Sequence, residues 1–298
     1  MTMDDINYLR ALVERRTGIV IEAGKEYLIE ARLVALARRH GLASPDEVVK
    51  QLRDAVPGKL PTLVLEALTT QETSFFRDVH PFETLRTTIL PALLAPRLAA
   101  RRLTIWCAAA STGQEPYSVA ILLRDHFPQL AGWQVRIIAT DFSEDALRRA
   151  REGCFNPTEA GRGLDNGLRA RHFREEADGW RIHEDIRRMV EFRQLNLVEA
   201  WPDLPEFDLI LLRNVLIYLG TDAKKKILRR IHRQLRPDGF LLLGAAETTL
   251  NLVDSFAVVH LGRTTCYRPG GTPAEAPRLG SIKPQSCPAD AAGARPHS

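Results

Sequence analysis

The stretch LTIWCAAASTGQEPYS, residues 103–118, decides how this chain is read. Leu103, Ile105 and Cys107 alternate as the inward positions of a buried strand, and Pro116 suits the first turn of a helix. Between them the side chains of residues 108–113 are small, which lets a ligand approach the backbone. Gly113 is the only glycine of that loop. A dinucleotide site presses a pyrophosphate onto a helix N-terminus and requires a glycine triad. The loop therefore suits a nucleoside ligand without phosphates, such as S-adenosylmethionine; an ordinary strand-to-helix turn fits the same residues.

One strand downstream, residues 135–140 read as a parallel strand with Asp141 at its C-terminal end. Ligands of open α/β sheets bind outside the carboxyl ends of the strands. A carboxylate there accepts hydrogen bonds from both ribose hydroxyls of an adenosine, or else caps the helix that Ser143, Glu144 and Asp145 begin.

The 298 residues allow one large domain or two ordinary ones, and the apolar content supports a full core. No apolar run is long enough to span a bilayer, and the N-terminus has no basic-then-apolar secretory pattern, so a soluble protein without membrane insertion is expected. Cys107, Cys154, Cys266 and Cys287 are scattered; this speaks against a zinc site and a disulfide framework and fits a reducing cytoplasm. The net charge of +4 suits an acidic macromolecular partner and is too weak for nucleic acid.

The first ninety or so residues read as helices. Ile6, Leu9 and Val13 share one helical face, and Ile29, Leu33 and Leu36 another. Ser44 to Glu47 form a capping box for a third helix, and residues 59–68 make a fourth. From residue 103 strands alternate with helices, predicting a parallel sheet covered on both faces. Residues 235–244 read as a helix end, a tight turn and a buried strand, and residues 256–261 and 264–267 as a closing hairpin about Gly262. Residues 154–188 suggest an inserted lobe. From Pro269 the Pro/Ala/Gly/Ser-rich composition predicts a disordered tail.

Further motifs sit between these elements: TTQETSFFRD at 69–78, ATDFS at 139–143, VEFRQLNL at 190–197 and FDLILLRNVLIYL at 207–219. Together and in this order they closely resemble the chemotaxis receptor methyltransferase family, the CheR type, over about residues 5–268. The combination TTxETxFFR, STGxEPYS and RNVLIY is highly specific. The resemblance implies an α/β protein: an N-terminal all-α receptor-docking domain (1–78), a Rossmann-like class I S-adenosylmethionine-dependent methyltransferase domain (79–268) with an antiparallel β lobe near 155–190, and the tail 269–298. It further implies methyl transfer from S-adenosyl-L-methionine to chemoreceptor glutamates, with S-adenosyl-L-homocysteine as product and no metal.

Carried over position by position, the resemblance puts the cofactor near Gln71, Thr73, Arg77, Glu115, Asp141, Asn196, Leu197, Arg213 and Asn214. It sets Arg77 and Tyr218 beside the reacting methyl. The family usually has asparagine at Gln71 and often glutamate at Gln114. The resemblance implies a monomer whose partners are the acidic cytoplasmic methylation helices of receptors. Lys25, Arg32 and Arg39, spaced by seven with Arg38 beside them, make a basic helix face suited to dock them, although a solvated charged face partly neutralised by Glu26 and Glu30 fits the same residues. In the hairpin of the lobe, Glu175, Glu176 and Asp178 make the turn acidic, which predicts no tight tether to a receptor tail peptide. A methyltransferase acting on RNA or a small molecule leaves the helical domain without a role, and a non-catalytic adaptor does not need both Arg77 and Tyr218.

Overall fold

A computed structural model describes residues 1–270. Helix α1 (Met3–Thr17) opens on a reciprocal capping box between Thr2 and Asp5 and ends at Gly18, whose φ of +73° suits a left-handed cap. Helices α2 (Glu26–Arg39), α3 (Pro45–Arg53) and α4 (Leu60–Leu68) complete a small core in which Leu9, Val13, Leu33, Val48 and Val64 are fully buried. The expected box at α3 is only half made. Ser44 caps Glu47, but the Glu47 carboxylate takes the N–H of Ala43 instead.

An irregular linker leads to a helical run, α5 (His80–Thr84), a π turn (Leu85–Ile89) and α6 (Leu90–Leu94), and then to the sheet. Its elements are β1 (Arg102–Ala108), α7 (Gln114–His126), β2 (Gln134–Asp141) and α8 (Glu144–Glu152). The lobe follows: β3 (Cys154–Phe155), α9 (Pro157–Gly161), α10 (Asn166–His172), β4 (Phe173–Glu176), β5 (Gly179–Ile182) and α11 (Glu184–Arg187). The chain then returns through β6 (Val190–Gln194), β7 (Phe207–Leu212), α12 (Thr221–Gln234), β8 (Leu235–Leu243), β9 (Phe256–Leu261) and β10 (Thr264–Pro269).

The main sheet has seven strands in the order β6-β2-β1-β7-β8-β10-β9, parallel from β6 to β8 and closed by the antiparallel β9–β10 hairpin. This is the class I S-adenosylmethionine-dependent methyltransferase arrangement. Both faces are covered, so β7 is buried along its whole length. The order reverses between β1 and β7, and that crevice, at the carboxyl ends of the strands, is where such sheets bind ligands.

Three local expectations change. Residues 236–239 do not form a turn outside the sheet; β8 starts at Leu235 and bulges between the pairs Phe207–Leu235 and Leu209–Phe240. The bulge lets Asp238 join Asp208 on the Arg97 guanidinium. Pro269 belongs to β10, and the tail from residue 271 lies outside the described residues. In the lobe, a three-stranded sheet of order β3-β5-β4, Glu176 is paired with Arg174 and Arg181, each at 2.7 Å. Those guanidiniums draw its carboxyl down to about 2, and their positive charges offset part of the negative charge expected at the turn.

Candidate functional site

A cleft opens at the crevice between β1 and β7. Its wall includes Gln71, Thr73, Arg77, Glu115, Asp141, Asn196, Leu197, Arg213, Asn214 and Tyr218, all the cofactor-side and catalytic candidates of the sequence motifs. They come from five separate stretches of chain. Thr17 and Ile19, from the end of α1, and the backbone turn at Ala109–Ser111 complete it.

The loop after β1 turns through left-handed residues at Ala109 (φ +56°), Ser111 (φ +50°) and Gly113 (φ +96°). That path aims the Ser111 N–H at Asp141 Oδ2 (2.8 Å), while the Ser143 N–H reaches Asp141 Oδ1 (2.9 Å). Burial raises the Asp141 carboxyl above its ordinary value; these N–H groups and the Gln71 amide pull it back towards the charged form. Each oxygen keeps a lone pair for a further donor. The Gln71 amide donates to the Thr69 hydroxyl at 3.3 Å, and the Gln71 backbone carbonyl accepts from the Ser111 hydroxyl at 3.2 Å. Gln114 is outside the cavity wall, buried, and its Oε1 accepts from the Thr112 hydroxyl at 2.8 Å.

Arg213 is the hub of the opposite wall. Its side chain is 1 % exposed. It donates to Glu115 Oε2 (2.9 Å), Asp78 Oδ2 (2.8 Å) and the Arg77 carbonyl (2.8 Å). Burial raises the Glu115 carboxyl, and the Arg213 guanidinium opposes that rise. The linker is strained here, with Phe76, Asp78 and Val79 at φ of +44°, +69° and +53°. A β-branched residue in that region is held only by its surroundings. Arg213 and the Ser118 hydroxyl, which accepts from the Phe76 N–H at 2.9 Å, supply the hold. Arg77 itself is half-buried and donates to the Glu72 carbonyl at 3.1 Å.

Two buried polar atoms on this wall have no partner, Asn214 Oδ1 and Arg213 Nε. A buried acceptor and a buried donor left unpaired beside a cavity are costly unless a ligand satisfies them. An amino-acid zwitterion, the methionine end of S-adenosylmethionine, offers the complementary ammonium and carboxylate. The residues present therefore fit that cofactor. Asn196 differs from a free ligand contact: its amide already donates to the Arg16 carbonyl (2.8 Å) and accepts from the Val198 N–H (3.2 Å), tying α1 to the sheet.

The basic residues of α2 are not on this wall. Lys25 is paired with Glu22 at 2.8 Å. Arg32 is half-buried, and its guanidinium closes the end of α4 through the Leu68 (2.8 Å) and Thr69 (3.2 Å) carbonyls. Heptad spacing put Arg32 on one face with Lys25 and Arg39 but could not show that the Leu68 and Thr69 carbonyl groups would be waiting there. Arg38 and Arg39 are exposed, and Arg39 borders a second cleft between α2, α4 and α8. Sequence reasoning missed Thr17 and Ile19 in the cavity wall. Among the described residues no cluster of three or more His, Cys, Asp or Glu is arranged to hold a metal ion, and no helix is long and apolar enough to cross a membrane.

Two family models match the chain: the CheR methyltransferase all-alpha domain over residues 4–69 and the CheR methyltransferase SAM binding domain over residues 71–264. Chemotaxis protein methyltransferase 1 of Pseudomonas aeruginosa is 39% identical over 269 residues, covering 89% of this chain and 97% of that protein. Chemotaxis protein methyltransferase Cher2 of Pseudomonas putida is 36% identical, with the same two coverages of 89% and 97%. A chemotaxis protein methyltransferase of Vibrio parahaemolyticus is 36% identical over 276 residues, covering 90% of this chain and 98% of that protein.

Proposed function

This chain belongs to the CheR methyltransferase family, and from that membership we propose how its cavity carries out the family's reaction. The protein is an S-adenosylmethionine-dependent protein-glutamate O-methyltransferase that esterifies chemoreceptor glutamates. We assign residues 1–78 to receptor docking and residues 79–268 to catalysis, in a monomer working in the cytoplasm. The observation that carries the site assignment is the meeting, in one cavity, of the buried Asp141, the unpaired Asn214 Oδ1 and Arg213 Nε, and the two residues Arg77 and Tyr218.

S-adenosylmethionine supplies an electrophilic methyl group. A glutamate carboxylate is already ionised at neutral pH, so no general base and no metal are needed to make it a nucleophile. The protein's task is placement and exclusion of water. Asp141 takes the ribose hydroxyls, with Gln71 and the loop after β1 holding its carboxylate in place. Arg213 Nε and Asn214 Oδ1 take the zwitterion, and Thr73 and Glu115 complete that end. Leu197 and the main chain of Asn196 border the base. Arg77 holds the incoming carboxylate by charge-assisted hydrogen bonds, and the Tyr218 ring closes the pocket around the methyl.

Transfer of a radiolabelled methyl group to the cytoplasmic domain of a receptor from the same organism, released as methanol in base, tests this function. Absence of incorporation into every such receptor would overturn it. Within that assay Arg77→Ala should lower kcat about tenfold and Tyr218→Phe several-fold, with smaller effects on cofactor affinity. A wild-type rate at saturation would show the residue to be structural.

Docking falls to the exposed pair Arg38 and Arg39, with Lys25 at the head of the same helix and Arg32 holding the face in position. A receptor's methylation helices are the partner, and a basic surface steers and orients an acidic one. Reversing Arg38 and Arg39 to Glu should raise KM for receptor about fivefold or more at low salt and leave S-adenosylhomocysteine affinity unchanged. An unmoved KM refutes docking through this face.

A further inference from the structure

One buried carboxylate near the cavity is not among the motif residues. Glu247 lies beyond the end of β8 and is 9% exposed. No cation pairs with it in the ion pairs of the described residues. Instead its Oε2 accepts from the N–H of Gly244 (2.6 Å) and Asn214 (2.8 Å), and its Oε1 from the N–H of Val215 (2.8 Å) and Ile217 (3.2 Å). Each carboxylate oxygen thus accepts from two backbone N–H groups.

Three of those amides belong to the short segment between β7 and α12, which carries Asn214 and Tyr218. Asn214 is left-handed there, with φ of +59°. Gly244 permits the close approach: a Cβ at that position would stand 2.8 Å from both the Asn214 nitrogen and Glu247 Oε2. At its far end the segment is held by the Val20 N–H, which donates to the Tyr218 carbonyl at 2.9 Å.

We propose that Glu247 is a positioning residue whose carboxylate is the anion around which the 214–217 backbone folds. Through that backbone it sets the Asn214 amide against the cofactor and the Tyr218 ring against the reacting methyl. The proposal rests on the site assignment above. A glutamine of the same shape would keep one acceptor and turn an NH2 group towards N–H donors, so the segment could not keep its path.

The test is Glu247→Gln in the full chain. S-adenosylhomocysteine affinity, read by calorimetry, should fall about tenfold, and kcat with receptor about tenfold or more, while KM for receptor stays within about twofold. The same change made in an Asn214→Ala background should cost less than about twofold in S-adenosylhomocysteine affinity, because the route through Asn214 is already lost. Equal losses in both backgrounds would overturn the proposal. If the glutamine variant does not fold, Glu247→Asp serves in the same cycle. Hydrogen exchange on the unmodified protein gives an independent reading. The amides of Asn214, Val215 and Ile217 should be protected, and exchange at the rate of an open loop would overturn the proposal. Calorimetry and exchange need no receptor, so they decide for or against Glu247 whether or not a receptor is methylated.

Discussion

Arg213→Met should destabilise the protein by about 3 kcal/mol and abolish measurable S-adenosylhomocysteine binding. The guanidinium is buried against Glu115, Asp78 and the Arg77 carbonyl, all within 2.9 Å. Glu115 has only 13% of its side chain exposed, so without Arg213 it becomes a buried charge with no ion-pair partner. Asp78 is 41% exposed and solvent softens its share of the loss. The strained turn around Arg77 would also lose its main anchor.

Denaturant unfolding measures the stability loss, and an unchanged midpoint would refute it. Glu115→Gln added to Arg213→Met should recover part of the stability, because the stranded charge is gone, but not the binding. The pH dependence has a definite sign. Burial raises the Glu115 carboxyl in the folded protein, and removing Arg213 leaves only the more distant Arg77 charge to oppose that rise. A carboxyl raised in the folded state penalises folding above its folded pKa and ceases to do so below its unfolded one. The variant's deficit should therefore shrink as the pH falls towards the ordinary carboxylate range.

Asp141→Asn should weaken cofactor binding about ten- to a hundredfold, since hydrogen bonds to a charged acceptor are worth about 1.5–3 kcal/mol. The amide keeps the shape but turns an NH2 group towards a donor. The N–H of Ser111 or of Ser143 then faces another N–H, so the loop after β1 is disturbed as well. Calorimetry with S-adenosylhomocysteine decides the matter, and unchanged affinity would remove Asp141 from the site. In the unmodified protein burial raises this carboxyl, and ribose hydroxyls donating to it favour the charged form. Affinity should thus decline on acidification from a pH above the usual carboxylate range, and the asparagine variant should lack that decline.

Much of this was legible from the motifs. The alternation of strands and helices predicts the parallel sheet, and Gly262 the closing hairpin, because hydrophobic period and turn chemistry are local properties. The site candidates from Gln71 to Tyr218 could be named because they sit in short, specific runs. Glu247 carries no such mark. It is a single acid after a buried strand, and three of the four N–H groups it accepts from are brought to it from about thirty residues away. The β8 bulge was misread for a similar reason. Residues 236–239 have the composition of a tight turn, yet Arg97, far away in sequence, binds Asp208 and Asp238 and keeps the strand continuous.

By itself the sequence determined the alternation of strands and helices in the sheet and the family, since each follows from local pattern. Only the tertiary structure decided which charges are available. Arg32 shares the spacing of a docking face but turns inward to the carbonyl groups at the end of α4, leaving Arg38 and Arg39 in solvent. Asn196 carries a cofactor-side motif, yet its amide fastens the end of α1 over the cavity. Hydrogen bonds between groups distant in the chain form only after folding has removed water from both, and spacing along the sequence holds no record of that.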